Sequence, residues 1–265
     1  MARRWLEARA PFGAFYDRYV AGLRATAPAM TPTAAYNLLL NLAVIDRREA
    51  PTVASSPDRP DLPRIGIALG LLSLPGRGAL VHQIHSWPVG ASGKEQGKTD
   101  AEWQASKIPG QVYSLEEAAR GSKFWIEPAR CEVLTGLHML IGFQCDDALA
   151  DRIDAGIRGD LPDPTYGMPC AGCSDYVFDR LRIHAAPPPA RWYVPVCGSV
   201  RPGPGCGRFP LVIDRRDDSK SRYGMFTPTL LLDSPPDDAW IPMPAAVPTP
   251  ARMPRRGAGR GRGKP

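Results

Sequence analysis

The run "RCEVLTGLHMLIGFQC", residues 130–145, constrains this chain more than any other stretch. Cys131, Val133, Leu137, Met139, Ile141, Phe143 and Cys145 fall on alternate positions, so they share one face of an extended strand. The run far exceeds the usual strand of ~5–6 residues. It reads as a long buried strand, which requires a sheet with one face against a core.

The flanking segments supply the rest of that sheet. "RWLEARA" (4–10) predicts a first strand, with Leu6 and Ala8 on one face and Trp5, Glu7 and Arg9 on the other. A loop rich in Tyr and Arg leads to "MTPTAAYNLLLNLAVI", where Thr31 is a good N-cap and Pro32 suits the first helical position. Residues 46–63 read as a linker by their Pro, Ser and charge content. "RIGIALGLLSL" (64–74) and "ALVHQIHSW" (79–87) read as two strands joined in a hairpin at "PGRG". "DDALADRIDAGIRG" (146–159) is a capped helix ending at Gly159, and strands follow at "YVFDRLRIH", "ARWYVPV" and "RFPLVIDRR". The order predicts an α+β fold, a ferredoxin-like (RRM-like) domain over residues 1–244 with C-terminal β additions. That fold hosts many functions and assigns none by itself.

Charge narrows the partners. The formal net charge is +6, but Arg252, Arg255, Arg256, Arg260, Arg262 and Lys264 supply all of it, leaving residues 1–250 formally neutral. Any nucleic-acid contact on the folded part is therefore local. Residues 245–265 read as a disordered basic tail, either simply solvated or an auxiliary RNA or DNA contact. The apolar runs are too short to span a bilayer, and the N-terminus lacks the apolar stretch of a signal peptide, so a cytoplasmic protein with no membrane partner and reduced thiols is expected.

Residues 88–128 lose all periodicity, and so long an insertion in a compact domain is normally functional or mobile. Lys94, Lys98, Lys107, Arg120 and Lys123 suit phosphates, and Trp103, Tyr113 and Trp125 offer faces on which splayed bases stack. The bland alternative is a mixed solvated loop, since acidic residues are interspersed. The strand before it carries Gln83, His85 and Trp87 on one face, which suits stacking and hydrogen bonding as well as packing. His82 and His85 lie on opposite faces of a strand and cannot form a metal pair there; His82 reads as a core histidine. Tyr16, Arg18, Tyr19 and Arg24 precede the first helix and suit the same RNA contacts, and the helix start at Thr31 and Thr33 is a possible phosphate seat.

"TYGMPCAGCSDYVFDRL" (165–181) places Cys170 and Cys173 in a Gly/Pro turn. Zinc would need Cys197 and Cys206 as partners, a pair without the tight spacing of a zinc knuckle. A redox pair would need a helix to follow, and a strand follows instead. The preferred reading is a turn with small half-buried thiols, with neither metal nor cofactor.

Four stretches in order, "APFGAFYDRYVAGLRATAPAMTPTAAYNLLLNLA", "HQIHSWPVGASGKEQ", "TYGMPCAGCSDYVFDRL" with "ARWYVPV", and "RFPLVIDRRDDSKSRYGMFTPT", give the chain a resemblance to the CRISPR-associated Cas-five family, in its DevS-type branch. The resemblance covers roughly residues 4–244. Where that branch usually has Phe-Leu-Gly-Asp after the proline, this chain has "CAGC", while Gly172, Asp179 and Arg180 fit the pattern. The resemblance implies a non-catalytic subunit of a type I Cascade surveillance complex. Such a subunit holds the 5′ repeat-derived handle of the crRNA and contacts the large subunit and the repeated backbone subunit. Target DNA is met only indirectly. Residues 88–128 fall where the family's thumb crosses the guide, and Arg180 joins the candidate RNA contacts. The alternative is a metal-independent endoribonuclease, as in some relatives, recruiting Tyr16 or Tyr19, His85 and Lys94. A third reading is a scaffold that binds only proteins.

Overall fold

The apolar face read from residues 130–145 is buried along its length, each of its seven residues being 3% exposed or less. Its surroundings are seen in a computed structural model, which describes residues 2–20, 23–50, 57–86, 125–163, 167–197, 200–214 and 218–245; at 17–20, 82–86, 125–129 and 218 only the backbone is described. In chain order the elements are β1 (Ala2–Gly13), β2 (Tyr16–Val20), β3 (Leu23–Thr26), α1 (Pro32–Leu42), β4 (Ile65–Leu71), β5 (Gly76–Ser86), β6 (Trp125–Cys145), α2 (Asp147–Arg158), β7 (Arg180–His184), β8 (Ala190–Pro195), β9 (Gly207–Val212), β10 (Arg222–Leu232) and β11 (Ile241–Met243). The fold is α+β, a mostly antiparallel sheet with two described α-helices.

The centre of the sheet runs β7–β1–β6–β4, all antiparallel. Both helices form where their caps predict. The Thr31 hydroxyl accepts from Ala34 N–H at 3.2 Å, and the Asp146 carboxylate accepts from Leu149 N–H at 2.8 Å. Gly159 closes α2 in the left-handed conformation at φ 78°. The helices pack on one face of the sheet, with Leu39 and Ile153 joining Leu6, Ala8, Met139, Ile141 and Phe143 in one core. The opposite face is covered in part by the C-terminal strands. There Trp5 meets Trp192 edge-on at 5.8 Å and Trp240 at 5.9 Å, over Gly142, where a β-carbon would come within 2.6 Å of the Trp5 ring.

Several expectations are corrected. Residues 64–74 and 79–87 do not form a hairpin. β4 pairs with β6 at 139–144 and β5 pairs with β6 at 125–135, so both lie along the same edge of β6, one after the other. The reason is the length of β6, which offers more edge than one partner fills. The Tyr/Arg-rich loop contains the β2–β3 hairpin. The insertion ends earlier than 128, because β6 starts at Trp125, opposite Ser86; residues 87–124, and the tail from 246, lie outside the described residues. The strand expected over 176–184 starts only at Arg180, the residues before it being taken by the turn. β10 and β11 were not expected from the sequence. The expected linker is fastened where it is described: Arg47 bonds Asn37 Oδ1 at 2.6 Å and pairs with Asp58 at 2.9 Å, and the Tyr36 hydroxyl donates to Pro63 O at 2.9 Å.

The helices touch at one glycine. A β-carbon on Gly156 would lie 1.8 Å from the Leu42 carbonyl oxygen, a backbone atom that cannot step aside without moving α1. Alanine in a helix interior gains ~1 kcal/mol over glycine by propensity, but overpacking at a rigid contact costs ~1–3 kcal/mol. Gly156→Ala is therefore expected to lower stability by up to about 2 kcal/mol in a urea titration; an increase would show that the helices separate freely.

Candidate nucleic-acid interface

The structure joins two groups of candidate residues far apart in sequence. β3 runs parallel to β6 with Arg24 opposite Cys131, and on the other edge of β6, Leu80 of β5 is opposite the same Cys131. The hairpin bearing Tyr16, Arg18, Tyr19 and Arg24 thus meets the β5–β6 ribbon at its root. Gln83, His85 and Trp125 lie further out on the ribbon backbone, with Gln83 opposite Pro128 and His85 opposite Ile126. The junction is tied by polar bonds: Thr26 N–H donates to Glu132 Oε2 at 3.1 Å, and Phe15 N–H donates to Thr26 Oγ1 at 2.8 Å. Glu132 also pairs with Arg77 at 3.8 Å. Tyr16 and Arg24 are half-buried. Burial, with Cys131 close by, pushes the Tyr16 hydroxyl well above its ordinary value, so it stays neutral.

The cysteine turn packs onto this root. Ala14 N–H donates to Ala171 O at 2.9 Å, and Ala171 N–H donates to Tyr176 O at 2.7 Å. Gly172 sits at φ 89°, where a β-carbon would be 2.2 Å from the Ala14 carbonyl oxygen. Only glycine meets both demands. Cys170 and Cys173 are half-buried, and the Cys173 thiol is 3.6 Å from Asp175 Oδ2. Burial and then the neighbouring Cys173 raise the Cys170 thiol above its ordinary value. Among the described residues no three His, Cys, Asp or Glu side chains gather into a group that could hold a metal.

Other candidates are placed differently. Thr31 and Thr33 are buried, with hydroxyls 3.0 Å apart and that of Thr31 engaged in the cap, so they present little surface to a phosphate. The sequence signal there was sound for a cap and blind to what covers it. Trp87, Lys94, Lys98, Trp103, Lys107, Arg120 and Lys123 lie outside the described residues. Arg180 stands apart on β7, exposed, 3.8 Å from Glu7.

Glu7 was not singled out from the sequence, where it reads as an outward position on β1. It is buried, and its two oxygens take His138 Nε2 at 2.9 Å and His184 Nε2 at 2.7 Å. Burial alone would push the carboxyl up; the hydrogen bonds and charges of His184 and His138 outweigh it and hold Glu7 below the ordinary value of 4.5. A scan for charged residues flanked by apolar alternation could have flagged it, but its partners come from β6 and β7.

No family model matches the chain, and no curated protein matches it. Among solved structures, a chain of a CRISPR RNA-guided surveillance complex is similar at 13% identity with a TM-score of 0.49, over 90% of this chain and 96% of that one. A crystal structure of a Cas protein is similar at 12% identity with a TM-score of 0.44, over 88% and 96%. Likenesses this distant assign no function. No helix among the described residues is long and apolar enough to cross a membrane.

Two measurements check this chemistry. A carboxyl held low by folding stabilises fully above its unfolded value and loses that contribution as pH falls through the folded value. Glu7→Gln is therefore expected to cost about 2 kcal/mol near neutral pH, with the gap to wild type closing below pH 4.5; equal stability of the two at neutral pH would contradict the ion cluster. Alkylation followed by mass spectrometry is expected to modify exposed Cys197 well before Cys170, whose thiol is half-buried and kept protonated.

Proposed function

We propose that this chain is a non-catalytic, CRISPR-associated RNA-binding subunit that caps the 5′ repeat-derived handle of crRNA in a type I Cascade complex. In this reading it bridges the large subunit to the repeated backbone subunit, and target DNA is met only indirectly. The observation that carries the reading is the shared root at Cys131, opposite both Arg24 and Leu80. It sets Tyr- and Arg-bearing β2–β3 beside a ribbon leading to Gln83, His85, Trp87 and the Lys- and Trp-bearing residues beyond. Strands bearing Tyr, Arg, Gln and His are thereby joined along β6, and these residue types suit single-stranded RNA recognition. The antiparallel order β7–β1–β6–β4, with α1 and α2 on one face, supports a ferredoxin-like (RRM-like) domain, and β8 to β11 supply the C-terminal additions. The ribbon β5–β6 then forms the base of the thumb. The ordered resemblance to the DevS-type Cas-five branch supports the same role. The neutral tail-free charge fits a local contact, with target choice left to guide pairing.

The test is co-expression with the neighbouring genes and a repeat-containing transcript, followed by sequencing of the bound RNA. Reads beginning at the repeat-derived 5′ handle are expected, and the purified chain is expected to leave the repeat uncut in EDTA and in magnesium. Cuts at the handle boundary that vanish in His85→Ala would replace this reading with the endoribonuclease. Complexes holding no RNA would leave the protein-only scaffold.

A further inference from the structure

The second half of β10 is a sheet edge without a neighbour. β9 pairs with β10 only from Arg222 to Phe226, because the chain ahead of β9 makes a tight turn at Gly205, where φ is 84° and Cys206 N–H bonds back to Gly203 O. Beyond Phe226 the partner of β10 among the described residues is β8, so past Pro228 the other side of the strand is open. Three leucines stand on that stretch: Leu230 is 79% exposed, Leu231 58% and Leu232 39%. A bulge between Pro228 and Leu231 helps to place them. In it the Thr229 hydroxyl takes Trp192 N–H at 3.0 Å, where a regular ladder would use a main-chain carbonyl. Successive strand residues point to opposite faces, so neither face is covered here. Asp233, Asp237 and Asp238 follow, all exposed, and none has an ion-pair partner among the described residues. Arg191 stands opposite Leu231 on β8 and pairs with none of the three.

We propose that this edge docks an extended segment of a partner protein as an added antiparallel strand, with Lys or Arg at the segment's N-terminal end against Asp233, Asp237 and Asp238. The inference goes beyond the RNA-binding reading, since β10 lies on the far side of β4 and β8 from β6. Open backbone groups call for a strand, and leucines on both faces call for apolar side chains above and below it. The acids call for bases and fix the direction. β8 and β9 both run antiparallel to β10, and in that sense an added strand begins beside the acids where β10 ends. A second copy of this edge, paired the same way, would bring its Pro228 end to the acids and leave their charge unanswered. The basic residues at 252–264 are set among Gly and Pro, which strands disfavour.

Fluorescence anisotropy of a labelled peptide, Lys-Arg-Thr-Val-Ile-Val-Thr, is expected to show saturable binding to the full chain at about 0.1 M salt. Leu230→Ser with Leu231→Ser is expected to weaken it about tenfold. Both positions are exposed, so this variant folds. Asp237→Lys with Asp238→Lys is expected to weaken binding about fivefold and to remove its decline with added salt. Two peptides N-methylated at alternate residues separate strand addition from apolar adhesion, because only one set of N–H groups meets the edge; one is expected to lose binding and the other to keep it. Absence of saturable binding overturns the proposal, as does equal binding by both methylated peptides, by the double leucine variant or by a peptide with Glu-Glu in place of Lys-Arg. A gain in peptide affinity on removing residues 246–265 would assign the edge to the chain's own tail and also overturn it. The bound RNA is read separately, so loss of peptide binding with handle reads intact fells this inference alone, and peptide binding without RNA fells only the RNA-binding reading.

Discussion

The edges of one strand organise this protein. β6, Trp125–Cys145, presents unpaired backbone groups on both sides along its whole length, and each must be satisfied. β1 takes one edge from 134 to 145, and the short parallel contact with β3 continues that side at 130 and 131. β4 takes the other edge within the core, and β5 takes it beyond. The change of partner falls near Gly136, whose φ of 63° is outside the range most residues adopt. Past that point β5 is the long companion of β6, which stays in the core through Val133 and Leu134, is still buried at Cys131 and is exposed at Arg130. A core strand and a projecting ribbon are thus one element, which is how the folded domain reaches the insertion.

The two faces of the sheet are buried by different means. One carries the helices and a continuous apolar core. The other is closed in part by Trp192 and Trp240 from the C-terminal strands, and over β1 and β7 it stays open, with a charge in place of packing. A lone buried carboxylate would be costly; His138, His184 and Arg180 converge on Glu7 and hold it ionised. Trp5 and Glu7, two residues apart on the same face of β1, therefore mark the boundary between the covered and the open parts of the sheet.

The cysteine turn shows how local chemistry and long-range packing divide. Its backbone bonds to Ala14, and Gly172 fits against the same carbonyl, so the turn braces the junction from which β2 begins. The thiols fill space beside it. Tyr16, at the start of β2, is half-buried near Cys131 and the turn, which explains why its hydroxyl is held neutral.

The sequence by itself determined the elements whose signals are local. The alternation of 130–145, the Thr31–Pro32 start of α1 and the Asp146 and Gly159 caps of α2 depend on neighbours within a few residues, and the structure follows them. The candidate contacts at Tyr16, Arg24, Gln83 and His85 were legible as residue types, but the joining of their strands along β6 was not. Only tertiary structure decided that β4 and β5 share one edge of β6, that β3 joins the ribbon at Cys131, and that Thr31 and Thr33 are covered. It alone brought His138 and His184 to Glu7, across separations of 131 and 177 residues. The physical reason is that strand pairing and charge burial are satisfied by whichever partner the topology delivers, and a short window of sequence holds only one side of each such bond.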